Sequence, residues 1–141
     1  MEPRLLYIAA MLVCFGAAVV NALYFGMELK RFTASTPVLA STHDLERFKA
    51  VVAHQMYAAL GQIVLLAAPT VLYFAGLYQK VLAPRDLLFV VVPSAVILLI
   101  AASYRGWEVK AKAIETADDE LAAQRDAVVA TWMKKPLPNW Q

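Results

Sequence analysis

Residues 5–27 read LLYIAAMLVCFGAAVVNALYFGM, and none of these 23 residues is charged. Two more uncharged stretches follow, QMYAALGQIVLLAAPTVLYFAGLYQ at residues 55–79 and LLFVVVPSAVILLIAASY at residues 87–104. A helix needs about 20 mainly apolar residues to cross a hydrocarbon core of about 30 Å. We therefore predict an all-α integral membrane protein with three transmembrane helices, at about 5–27, 55–79 and 87–104.

The composition agrees with this class. Apolar residues make up 61% of the 141 residues and charged residues 17%, whereas soluble domains are roughly 45–50% apolar. The length allows one membrane domain and leaves no room for a separate soluble catalytic domain. The first stretch is longer than the apolar region of a signal peptide, so we expect it to be retained as a helix.

The basic residues are distributed unevenly between the two sides that three crossings would define. The N-terminus and the 80–86 loop carry three lysines and arginines, whereas the 28–54 loop and the residues from 105 onward carry ten. Basic residues are retained on the cytoplasmic side. This asymmetry predicts an N-out, C-in orientation, and we expect the protein in a bacterial inner (plasma) membrane.

Helical segments are also predicted outside the bilayer. Ser41 or Thr42 can cap a helix that runs into the second stretch, which gives that helix a cytoplasmic extension. A tail helix at about 117–134, with Thr116 as its cap, precedes Pro136. Its apolar face is expected to contact the extension, the lipid surface or another chain, and the candidate partner-contact residues are Leu121, Val128, Trp132 and Trp140.

Small and amide residues indicate helix contacts inside the bilayer. A stripe of mostly small residues on the first helix predicts close approach by another helix, and its members are Ala10, Cys14, Ala17, Ala18 and Asn21. Asn21 and Gln62 are expected at matched depth, where a hydrogen bond between their amides would join two helices. A polar site for a quinone head group or an ion is the alternative, but no charged residue accompanies the pair.

Proline residues interrupt two of the apolar stretches. Pro69 is followed by Thr70, and Pro93 by Ser94. Each proline removes a helical hydrogen bond, and the neighbouring hydroxyl can bond locally instead. The pattern predicts either static kinks or a flexible polar layer in mid-membrane, and we favour the kinks.

The sequence contains no recognisable catalytic constellation, so we predict that the protein is not an enzyme and binds no cofactor, metal or nucleic acid. The expected partners are the lipid bilayer and other membrane protein subunits, or copies of the chain itself. The predicted function is a structural or accessory subunit of a membrane assembly. A homo-oligomeric channel or transporter component is the alternative, and a membrane enzyme acting on a lipid or quinone is a more distant one.

Overall fold

The computed structural model describes residues 2–140 and is 82% helical. Its helices are α1 (Pro3–Ser35), α2 (Thr42–Tyr78), α3 (Leu88–Ser103), α4 (Arg105–Lys112) and α5 (Asp119–Lys134). Two strands of two residues each, β1 (Val38–Leu39) and β2 (Glu115–Thr116), and a 3₁₀ turn at Pro84–Leu87 complete it.

Three helical segments are long and apolar enough to cross a membrane. They are Pro3–Ser35, Thr42–Tyr78 and the stretch Pro84–Lys112, which joins the 3₁₀ turn, α3 and α4. The predicted all-α architecture with three candidate membrane spans is thus confirmed. The helices are longer than the uncharged stretches because helical geometry continues into the charged residues at their ends.

The start of α2 follows from its capping residues. The Asp44 backbone N–H donates to Ser41 Oγ at 3.2 Å, and the Asp44 carboxylate accepts from the Ala40 N–H at 3.2 Å. One backbone donor of the first helical turn and one donor just before the helix are thereby satisfied. From there α2 continues without interruption through Pro69 to Tyr78.

The prediction for the start of the tail helix was wrong by two residues. Asp118, not Thr116, is the N-cap of α5, and its side chain accepts from the Leu121 N–H at 2.8 Å. Thr116 lies instead in β2, where it pairs with Leu39 in a short parallel bridge. Strands of two residues show no alternating pattern, so this bridge could not be predicted from the sequence.

The chain divides into two compact units. The apolar unit comprises residues 2–23 and Gly61–Ala102, and the charged unit comprises Tyr24–Leu60 and residues 103–140. Only five of the 24 charged residues lie in the apolar unit.

The apolar unit has a small interior and an apolar exterior. Its buried hydrophobic cluster draws on all three helices and on the loop before the 3₁₀ turn: Met11, Phe15, Ala18, Tyr73, Leu82, Val90 and Ile97. Large aliphatic side chains also cover its outside, among them Val13 and Leu99, each 71% exposed. Exposed aliphatic surface on all sides is what a lipid-facing bundle requires.

The charged unit has a conventional apolar core. Leu39, Leu45, Phe48 and Val52 are fully buried, and the Phe32 and Phe48 rings stack with centroids 6.0 Å apart. Residues of α1, α2, α4 and α5 contribute to this one cluster. The short strands bring Leu39 into the cluster, so the loop after α1 is part of the core.

We predict that Gly26→Ala destabilises the charged unit. A Cβ on Gly26 would lie 2.5–2.7 Å from three atoms of the Tyr104 ring, including Cγ at its base, so the ring cannot simply swing aside. Overpacking of this kind costs about 1–3 kcal/mol, which exceeds the gain of up to about 1 kcal/mol in helix propensity. Thermal unfolding in detergent, followed by circular dichroism, measures the change.

Gly106→Ala is the matched control, because nothing lies within 4 Å of a Cβ at that position in α4. It should leave stability unchanged or raise it by up to about 1 kcal/mol. Equal melting temperatures for the two variants would contradict the close approach of α1 to Tyr104.

Candidate functional site

A groove between α1 and α2 forms a concave surface of the charged unit. Its volume is about 930 Å³, at the upper end of the roughly 300–1,000 Å³ that is usual for small-molecule sites. Both helices contribute apolar and polar side chains, among them Tyr24, Met27, Arg31, Ser35, Arg47 and Ala50.

Two arginines give this groove a positive character. Arg31 and Arg47 take part in none of the ion pairs that residues 2–140 form. The Arg47 guanidinium carbon lies 5.7 Å from the centroid of the Phe32 ring, within cation–π range. Both cations are therefore available to acidic groups of a molecule that enters the groove.

A polar contact that the sequence did not predict lies beside the groove. Glu28 Oε1 is 2.8 Å from His54 Nδ1, and Glu28 itself contributes to the groove wall. Within residues 2–140, Glu28 Oε2 is buried and has no hydrogen-bond partner. Glu28 directly follows the first uncharged stretch and His54 directly precedes the second. Antiparallel packing of α1 and α2 would therefore bring these two residues together, and this was the clue in the sequence.

The amide pair of the apolar unit does come together. Asn21 Nδ2 donates to Gln62 Oε1 at 2.7 Å. Gln62 Nε2 is buried without a hydrogen-bond partner among the described residues. The contact joins α1 to α2 directly, as a structural clasp requires.

The small residues of the stripe on α1 differ in their burial. Ala18 is buried and Cys14 is half-buried, but Ala10 and Ala17 are exposed. Met11 and Phe15 fill the interior beside Ala18. The close approaches within the chain occur instead at Gly26 and at Gly76, where a Cβ would lie 2.7 Å from Leu82.

The two prolines have different surroundings. Pro69 is almost completely buried, and the hydroxyl of Thr70 donates to the Leu66 carbonyl at 3.2 Å. Pro93 is half-buried and lines an open groove, with Ser94 half-buried beside it. Thr70 therefore bonds locally to the backbone next to Pro69.

Three of the four predicted partner-contact residues pack within the chain. Leu121 and Val128 belong to the core of the charged unit and are only 7% and 2% exposed. Their side chains are therefore not accessible to another protein in this structure. Trp132 packs against that core, and Lys112 Nζ lies 4.8 Å from its ring centroid. Trp140 is 39% exposed and is the most accessible of the four.

An ion pair that the sequence did not predict lies near the start of α1. Arg4 Nη2 donates to Asp86 Oδ1 at 2.8 Å, and Arg4 Nε to Asp86 Oδ2 at 3.4 Å. The carboxylate also accepts from the Ala83 N–H at 2.9 Å. Three crossings would place both residues on the same side, which was the clue in the sequence.

Within residues 2–140, no group of three or more His, Cys, Asp or Glu side chains is arranged to hold a metal ion. No protein family, curated protein or solved structure matches this chain. Function must therefore be argued from its own surfaces.

A double-mutant cycle on Asn21 and Gln62 tests the clasp. We expect Asn21→Leu and Gln62→Leu each to destabilise the protein by about 0.5–1.5 kcal/mol, because each removes one partner of the amide bond. The double variant should lose less than the two changes added together. The expected coupling is about 0.6–1.7 kcal/mol, measured by denaturant titration in mixed micelles, and strict additivity would show that the bond contributes nothing.

Proposed function

We propose that this chain is a non-catalytic structural or accessory subunit of a membrane assembly, and that the groove between α1 and α2 receives a segment of another subunit. The observation that carries the proposal is this groove, which is open and is lined by two arginines that form no ion pair within residues 2–140. The groove lies beside the hydrophobic core of the charged unit.

The proposed orientation is N-out and C-in, with the charged unit in the cytoplasm. It is supported by the ten basic residues on that side against three on the other. The alanine-rich, arginine-containing composition supports a bacterial inner membrane as the location.

The use of α5 inside the chain makes the groove the stronger candidate for a partner. Leu121 and Val128 complete the core, so the tail helix serves to hold the charged unit together. In contrast, Tyr24 and Met27 at the groove are 65% and 41% exposed. Exposed aromatic and methionine side chains beside arginines are typical of interface centres.

The chemistry of the groove indicates what the partner segment offers. Apolar side chains would pack against Tyr24 and Met27, and carboxylates would pair with Arg31 and Arg47. An amphipathic helix with an acidic edge meets both requirements, since helix-in-groove binding places apolar anchors at i, i+3, i+4 and i+7. Complementary charge would also steer the encounter and fix the register.

The channel alternative remains a prediction that no observation favours. Pro69 is in the interior, Thr70 bonds to the backbone, and Asn21 bonds to Gln62. These groups are engaged in packing the apolar unit. A homo-oligomer is still compatible with the subunit proposal, because the segment in the groove can belong to a second copy.

Ala50→Trp should displace the partner segment. Ala50 is exposed and lines the groove, so an indole there fills space without entering the core. The full-length protein is extracted from its own membrane in a mild detergent, and its complexes are weighed by native mass spectrometry. The wild type should carry one or more further protein chains, and Ala50→Trp should be found mainly as a single chain.

Ala123→Trp adds the same side chain at an exposed position of α5, which does not line the groove. This control should retain the wild-type complex. A wild-type protein that travels alone, even after chemical crosslinking in the membrane, would overturn the proposal, as would equal effects of the two tryptophans.

A further inference from the structure

A second groove lies at the end of the apolar unit where the 3₁₀ turn leads into α3. It has a volume of about 520 Å³, and its lining has two parts. Arg4, Arg85 and Asp86 form a charged end, while Leu88, Phe89, Val92 and Pro93 form an apolar wall.

The apolar wall runs along one face of the helical segment. From Arg85 to Pro93 the chain advances roughly 12–14 Å, at about 2.0 Å per residue in the 3₁₀ turn and 1.5 Å in α3. One leaflet of a hydrocarbon core about 30 Å thick measures about 15 Å. The groove is therefore about as long as most of one acyl chain.

The three charged residues that line this groove, two arginines and one aspartate, carry one net positive charge. Asp86 is almost completely buried, and it already accepts hydrogen bonds from Arg4 and from the Ala83 N–H. Arg85 is exposed and takes part in none of the ion pairs of residues 2–140. One guanidinium is thus left at the rim to meet an anion, and the paired Arg4 next to it adds further N–H donors.

We propose that this groove binds a phospholipid with an anionic head group, such as phosphatidylglycerol. Arg85 contacts the phosphate and head group, and one acyl chain lies against Leu88, Phe89 and Val92. The Arg4–Asp86 pair holds the N-terminus of α1 against the 3₁₀ turn and so forms one side of the charged end. This site is separate from the groove of the charged unit and does not depend on the proposed subunit function.

The test uses the full-length protein in a mild detergent with equimolar phosphatidylglycerol and phosphatidylcholine that carry the same acyl chains. Native mass spectrometry counts each lipid bound. We expect the wild type to prefer phosphatidylglycerol by about tenfold, the scale of one charge-assisted hydrogen bond. Arg85→Gln should reduce that preference to near one, because it weakens phosphatidylglycerol binding more than phosphatidylcholine binding.

Lys80→Gln is the matched control, because Lys80 is an exposed cation at the same end of the apolar unit that does not line the groove. It should keep the wild-type preference. Val92→Trp, at an exposed wall position, should reduce binding of both lipids without changing helicity. Soluble glycerol phosphate should not compete, since it lacks the acyl chain.

The proposal is overturned if the wild type shows no preference, if Lys80→Gln and Arg85→Gln have equal effects, or if glycerol phosphate displaces the lipid. Equal effects of the two substitutions would indicate attraction by net charge alone. Displacement by glycerol phosphate would indicate a simple anion site without an acyl-chain groove.

Discussion

The structure depends on one constraint, which is that charged residues must lie outside the three long apolar helical stretches. Hydrocarbon offers no partner for backbone N–H and C=O groups, so each uncharged stretch must satisfy them internally as a helix. The apolar unit accordingly contains only five charged residues, and all lie near the ends of its helices. Asp86, the one that is buried, is paired with Arg4. The remaining charges surround a second unit that buries its own apolar core, as a water-exposed domain does.

Antiparallel packing of α1 and α2 explains most of the specific contacts within each unit. Asn21 meets Gln62 in the apolar unit, and Glu28 meets His54 in the charged unit. Because the two helices run in opposite directions, the residue that lies later in α1 contacts the residue that lies earlier in α2. An average interhelical hydrogen bond in a membrane contributes about 0.6 kcal/mol, so the Asn21–Gln62 bond adds little to the stability of the apolar unit. Close packing at glycines and burial of large side chains must therefore supply most of the stability, and the polar pairs mainly fix the register.

Hydrophobicity and capping rules predicted the three long helices and the start of α2, because these features depend on composition and on adjacent residues. The inward face of α1 was not predicted: Met11 and Phe15 point inside, while Ala10 and Ala17 do not. A helix that is apolar all round has no polar face to mark its outside. The pairing of Thr116 in β2 was also missed, since it depends on a contact across more than 70 residues rather than on any local pattern. Candidate partner surfaces were equally hard to predict, because an apolar tail face looks the same whether it meets its own core or another protein.

Measuring the orientation of the protein in the membrane tests the proposed function most directly. The groove can receive a cytoplasmic segment of another subunit only if the charged unit faces inward. Single cysteines at Gln79 and Ala130, both exposed, are introduced in a Cys14→Ala background and treated with a membrane-impermeant maleimide in intact spheroplasts. With the N-out, C-in orientation, we expect Gln79→Cys to be labelled at once and Ala130→Cys to be labelled only after the membrane is permeabilised. Labelling of Ala130→Cys from outside, with Gln79→Cys protected, would contradict it.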